Sequence, residues 1–224
     1  MAERSQRQGP VMILAGGTGG HVFPGLSVAA ELMAQGLPVS WLGTATGIEQ
    51  RLVPAAGIPL TTVPVRSLRG AGWARWLLAP FRLLIAVGRS VRVLHTQRPR
   101  VVLGLGGYVA GPGGVAARLL RIPLVIHEQN AVAGLTNRLL ARIATRVLCG
   151  FAGAFSALPA VERRTERVGN PVRPAIAAVA EAETPPASGR PVRLLVVGGS
   201  QGARVLNEVV PAALLHEAGH GARG

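Results

Sequence analysis

The chain has 224 residues, 49% hydrophobic and 4% aromatic, enough apolar material for a sizeable core that Ala, Val, Leu and Ile must fill. Its formal net charge of +14 comes from 24 basic residues that are all Arg and 10 acidic residues that are all Glu. Such one-sided usage reads partly as coding bias, so the charge is discounted as evidence for a nucleic-acid partner, and no RNA- or DNA-binding motif supports one. The lack of Asp argues against a Mg²⁺ or Mn²⁺ site built on Asp carboxylates. The single Cys149 excludes an internal disulfide, fits a reducing compartment and reads as a buried small hydrophobe.

In chain order, MAERSQRQGP is polar and the apolar run at residues 11–15 is too short for a signal peptide. No uncharged apolar stretch approaches the ~20 residues that span a bilayer, so a cytoplasmic protein is expected. The run at 11–15 reads as a strand that stops at a glycine-rich turn, residues 16–20, with His21 next and a helix opening at Pro24. Strand, glycine turn and helix make a phosphate-cradle layout: glycine lets the backbone approach a ligand, and a helix N-terminus offers unpaired N–H groups and partial positive charge. The same turn without a ligand is the plainer alternative.

Leu26, Ala29, Ala30, Leu32 and Met33 keep helical spacing, and Gly36 is placed to end that helix. Strands at 39–42 and 58–63 flank a short helix at 48–56, a βαβαβ beat that builds a parallel sheet. A dinucleotide-binding fold would place G-x-G-x-x-G in the first turn and an acidic residue at the end of the second strand. Here Ala15 stands where the first Gly would fall and the second strand ends in Gly43-Thr44-Ala45-Thr46, so that reading is rejected.

A helix is expected from Pro80, with Leu83, Leu84, Val87 and Val91 on an apolar face and Arg82 and Arg89 on another. Trp73, Arg75 and Trp76 precede it. Tryptophans beside a basic stripe fit contact with an anionic bilayer surface, against the alternative of an amphipathic helix with solvated Arg. A strand at 100–105 leads into a second glycine-rich loop, 104–114, and a helix at 115–120. A strand at 123–126 ends in His127-Glu128-Gln129-Asn130, four hydrogen-bonding side chains at the carboxyl edge, where open α/β sheets bind ligands.

A helix at 135–143 and strands at 145–149 and 163–168 complete a domain assigned to residues 9–172. Residues 173–190, rich in Ala, Glu and Pro without apolar periodicity, read as a linker. Residues 191–224 open a second domain: a strand at 192–197, a third glycine turn, a helix from Arg204 and a patternless stretch at 214–224. The polypeptide reads as the front of a two-domain protein.

GGTGGHVFPGL (16–26), LGLGGYVAGPGG (103–114), HEQNAVAGLTNRLLA (127–141), GNPVR (169–173) and GGSQGARVLN (198–207) stand in the order of the MurG family, which the chain resembles from residue 11 to about 215. That family comprises peptidoglycan N-acetylglucosaminyltransferases acting on undecaprenyl-linked muramyl-pentapeptide, lipid I. The resemblance implies an α/β GT-B architecture: a Rossmann-like N-terminal domain with a parallel sheet, binding acceptor and membrane, and the first βα unit of a second, donor-binding Rossmann-like domain. It implies inverting, metal-independent transfer from UDP-N-acetylglucosamine to the muramyl 4-hydroxyl, no cofactor, and residence on the cytoplasmic face of the bacterial plasma membrane.

Carried over by position, His21 and Glu128 are implied as catalytic, with His21 a general base held neutral by the helix N-terminus. Thr18, Gly19, Gly20, Asn130, Arg173 and Ser200 are implied donor contacts, and Gly107 and Tyr108 acceptor contacts. Trp73, Arg75, Trp76, Arg82 and Arg89 are the expected membrane patch. The competing reading is a non-catalytic product of the same family that binds membrane or a lipid-linked diphosphate.

Overall fold

A computed structural model describes residues 9–65, 78–180, 194–198 and 203–221. The chain divides into two compact units, Met1–Glu181 and Ala182–Gly224. In the first, β1 (Val11–Leu14), β2 (Val39–Thr44), β3 (Leu60–Val63), β4 (Val101–Gly104), β5 (Leu124–Glu128), β6 (Arg146–Cys149) and β7 (Thr165–Arg167) form one sheet in the order β3-β2-β1-β4-β5-β6-β7. Every pairing is parallel. The helices between them are α1 (Gly19–Ala34), α2 (Glu49–Ala55), α3 (Ala79–Gln97), α4 (Ala110–Leu119), α5 (Leu135–Ala141) and α6 (Pro159–Glu162).

Alternation along the strands feeds two cores, as a sheet covered on both faces requires. Met12 and Leu14 point to one layer with Leu42, Val102, Leu124, Ile126 and Leu140, while Ile13 and Ala15 point to the other with Val22, Ala29, Trp41 and Val53. Trp41 is fully buried, and its indole N–H donates to the Ala15 carbonyl at 2.8 Å, so the largest core side chain carries no unpaired donor. Cys149 is buried as expected, and burial pushes its thiol up from the ordinary cysteine value.

Several boundaries differ from the expectations above. Helix α1 begins at Gly19, not Pro24, because Thr18 in extended conformation ends the turn and its carbonyl accepts the N–H groups of His21 and Val22. Pro24 therefore lies inside the helix and removes only the bond to the Gly20 carbonyl. At the other end Gly36, with φ +75°, donates to Met33 and Leu37 donates to Leu32, a Schellman close that bears out the glycine stop.

The second glycine-rich loop is shorter than expected: Gly111, Pro112, Gly113 and Gly114 belong to α4. Glycine serves packing there, since a Cβ on Gly113 would stand 2.8 Å from Leu14.

The fully buried residues of α3 are Ala86, Ser90 and Leu94; of the predicted face Val91 packs against the core and Val87 is half-buried, but Leu83 and Leu84 are not covered. Small residues let α3 lie against α4, and that rotation leaves Leu83 and Leu84 exposed.

The second unit contains α8 (Ala203–Gly221), which runs through the stretch that looked patternless from residue 214. Residues 194–198 are not a strand, and Leu195 and Val197 are exposed. A strand needs a neighbour, and among the described residues none pairs with this one. At the end of the first unit, α7 (Pro174–Ala180) puts helix into the segment read as linker.

Candidate functional site

The chain winds outward from β1 to β3, returns through α3, and winds the other way from β4 to β7, so the reversal falls between β1 and β4. Such a reversal opens a crevice at the carboxyl ends of the two central strands. The residues that fill it follow directly from the sequence: β1 runs into Ala15 and the first glycine turn, and β4 into Leu105, Gly106 and Gly107. The two turns touch. A Cβ on Gly107 would run into the Gly16 carbonyl oxygen, and Gly106 and Gly107 have φ of +98° and +79°, so both positions demand glycine.

His21 stands in the first turn of α1, half-buried, with its imidazole over Gly106: a Cβ there would lie 3.0 Å from both Cε1 and Nδ1. Thr18 and Gly20 are exposed at the mouth, Gly19 is half-buried, and Tyr108 is 39% exposed at the rim of the second turn. Across α1, the Arg173 guanidinium lies 4.8 Å from the centre of the Phe23 ring, which brings the GNPVR segment beside the start of that helix.

The end of β5 supplies a second cluster. His127 and Glu128 are on the strand and buried. Glu128 Oε1 accepts the backbone and side-chain N–H of Asn130 at 2.9 and 2.7 Å, and Oε2 accepts Gly134 N–H at 3.1 Å and Asn137 Nδ2 at 3.0 Å. Gly134 caps α5, so this carboxylate fastens the strand end to the next helix. Asn130, exposed, is held by it at the edge.

The His127 Nε2 lies 2.9 Å from the Gly169 carbonyl, which can only accept, so that nitrogen carries the proton. Burial lowers the affinity of His127 for a second proton, outweighing the Gly169 carbonyl and the Glu128 charge, and the ring is neutral at pH 7. Beside it opens a cavity of about 250 Å³, lined by Leu103, Leu105, His127, Gly169, Asn170 and Pro171 among others.

Thus one edge gathers Thr18, Gly19, Gly20, His21, Gly107, Tyr108, Glu128 and Asn130, with Arg173 flanking α1. Ser200, Trp73, Arg75 and Trp76 lie outside the described residues. Arg82 and Arg89 are exposed on α3, away from this edge in sequence and element.

Two buried polar residues were not anticipated. Asn137 donates from Nδ2 to both the His127 carbonyl and Glu128, and between Thr136 and Arg138 nothing in the local sequence singled it out. Glu49 accepts Gly17 N–H at 3.0 Å, although an acidic residue opening a helix ordinarily signals favourable helix-dipole placement alone.

These features define the class: a doubly wound, Rossmann-like α/β domain whose ligand edge is made of two glycine turns. The model of the glycosyltransferase family 28 N-terminal domain matches residues 11–149, and the chain belongs to that family. It is similar to proteins named UDP-N-acetylglucosamine–N-acetylmuramyl-(pentapeptide) pyrophosphoryl-undecaprenol N-acetylglucosamine transferase. The one from Alkalilimnicola ehrlichii is 62% identical over 92% of this chain and 56% of its own length. The one from Aeromonas hydrophila is 56% identical over 91% and 55%.

The crystal structure of Acinetobacter baumannii MurG is 42% identical, covers 92% of this chain and 57% of that one, and superposes with a TM-score of 0.72, in keeping with the GT-B architecture. A UDP-N-acetylglucosamine 2-epimerase from Rickettsia bellii, at 15% identity and a TM-score of 0.55 over 77% of this chain and 46% of that one, shares the fold alone. The chain spans about half the length of the curated relatives it matches.

Proposed function

We propose that this chain is the acceptor-side half of an inverting enzyme that transfers N-acetylglucosamine from UDP-N-acetylglucosamine to the muramyl 4-hydroxyl of lipid I, forming lipid II. The observation that carries the reading is His21 seated where the two glycine turns meet at the switch point. The names and identities of the relatives supply the substrates.

In this reading His21 takes the proton of the acceptor hydroxyl as its oxygen attacks the anomeric carbon. The sugar–phosphate bond breaks on the opposite face, and UDP leaves with inversion. Thr18, Gly19 and Gly20 present the N-terminal end of α1 to the reacting groups, and Gly107 and Tyr108 line the acceptor side. Arg173 offers a guanidinium to diphosphate, and Ser200, outside the described residues, is a further proposed donor contact. Asn130 contacts the donor. Glu128, saturated with four hydrogen bonds, holds Asn130 and α5 in place and has no lone pair left over for proton transfer in this arrangement.

The membrane reading is supported by α3. Phe81, Leu84 and Ile85 are 68%, 68% and 54% exposed, interleaved with Arg82 and followed by Arg89. An apolar helix end ringed by Arg fits peripheral binding to an anionic, cytoplasm-facing bilayer. Among the described residues no helix is long and apolar enough to cross a membrane.

The second reading, a membrane- or lipid-diphosphate-binding protein without transfer, draws on the exposed apolar and Arg side chains of α3. Labelled UDP-N-acetylglucosamine and lipid I decide between them. Labelled lipid II is expected, and its absence at saturating donor would refute transfer by this chain. His21→Ala is expected to cut turnover by about 10²–10⁴-fold, the usual worth of a general base.

A further inference from the structure

Glu49 is 0% exposed and both of its oxygens are engaged. Oε1 accepts Thr44 N–H at 2.9 Å and the Thr44 hydroxyl at 2.7 Å, while Oε2 accepts Gly17 N–H at 3.0 Å from 32 residues away. All of these partners are neutral donors. A carboxylate buried without a cation persists only where hydrogen bonds replace its hydration. Space has been left for it: a Cβ on Gly16 would stand 2.5 Å from Oε1, and one on Gly43 2.9 Å from the Glu49 Cγ.

Gly17 has φ +92°, and its amide is the one that a strand–glycine–helix cradle would offer to a phosphate oxygen. In this chain a carboxylate already occupies it.

We infer that Glu49 is a positioning residue, a built-in anion that closes the Gly17 amide of the glycine turn to phosphate and fixes the start of α1, on which His21 stands. The cost of keeping Gly17 left-handed is met from inside the protein, so the turn is shaped before any substrate arrives. Substrate phosphate is left to the amides at the helix start, Gly19 and Gly20. The extension from turn geometry to turnover rests on the reading of His21 as the base.

The test uses the 224-residue chain. By NMR, Gly17 N–H exchange with solvent is expected to accelerate by about tenfold or more in Glu49→Ala, the loss of one part-buried hydrogen bond, and formate is expected to restore protection by refilling the vacated carboxylate position. Glu49→Gln, which keeps the volume, decides the matter if the alanine variant does not fold. With its single amide oxygen kept on the two Thr44 donors, its NH₂ group faces Gly17, so the same N–H should lose its acceptor and formate should not rescue it. Inorganic phosphate should shift Gly17 in Glu49→Ala and leave it unmoved in the unmodified protein.

Unchanged exchange in both variants, or a phosphate shift at Gly17 in the unmodified protein, would overturn the inference. In the transfer assay Glu49→Gln should lower kcat and leave KM for UDP-N-acetylglucosamine unaltered, whereas an effect confined to KM would refute positioning. If the unmodified chain transfers nothing, the proposed activity fails, and the amide measurements still decide the role of Glu49.

Discussion

Two carboxylates are buried on opposite sides of the switch point, Glu49 beside β2 and Glu128 at the end of β5, and they keep different company. Glu128 binds forward along its own chain, to Asn130, Gly134 and Asn137, within nine residues. Glu49 reaches back across the sheet edge to Gly17 and to Thr44. The first fastens a strand to the helix that follows it; the second ties together two βα units. Both replace the hydration of a charge with backbone N–H groups, the reason neither needs a cation. The edge is thus organised by internal anions, while Arg173, stacked on Phe23 of α1, is exposed.

The largest expected effect comes from removing each anion. Glu128→Ala leaves four donors without their acceptor and should destabilise the first unit by about 3–4 kcal/mol, with Glu49→Ala, three donors, smaller at about 2–3 kcal/mol. Urea unfolding measures both, and a reversed order would break the comparison. Next is Gly107→Ala, which forces a side chain at φ +79° into the Gly16 carbonyl and should cost about 2 kcal/mol while parting the two turns. Loss of the close approach would be read as a changed His21 ring shift by NMR, and an unmoved ring would uncouple the turns.

His127 sets the pH dependence of the Glu128 side. Its folded affinity for protons lies below the ordinary value of 6.5, so above pH 6.5 both states are neutral and its contribution is constant. As pH falls below 6.5 the unfolded chain takes up the proton first, and stability drops until the lowered folded value is passed, by at most about 1.4 kcal/mol per pH unit. Urea midpoints between pH 7.5 and 5 should show that fall in the unmodified protein and a flatter line in His127→Gln. The smallest effect on stability belongs to the exposed end of α3: Phe81→Ser with Leu84→Ser should change it by no more than about 0.5 kcal/mol, yet sharply reduce sedimentation with anionic vesicles. Unaltered sedimentation would dissociate the patch from membrane binding.

Much of this edge is legible in the amino-acid sequence. The run His127 to Asn130 breaks the apolar pattern of a strand with four polar side chains, and the first glycine turn interrupts strand and helix periodicities that are themselves local. Glu49 and Asn137 are not legible there, because each stands among other polar residues of its helix, Gln50 and Arg51 or Thr136 and Arg138, and acquires meaning only from neighbours brought in by the fold. The α3 face misleads in part for a related reason: Val87 and Val91 are half-buried as their spacing suggests, but close approach to α4 buries the small Ala86 and Ser90 and leaves Leu83 and Leu84 exposed.

By itself, then, the amino-acid sequence determined the βα beat, the parallel sheet, the glycine turns at strand ends and the family resemblance, all of which are written in periodicities and motifs a few residues long. Only the tertiary structure decided where helices begin, which face of α3 is buried, and that the amide at Gly17 belongs to Glu49. Those outcomes depend on close packing and on pairing buried polar groups between segments remote in the chain, and no local pattern encodes them.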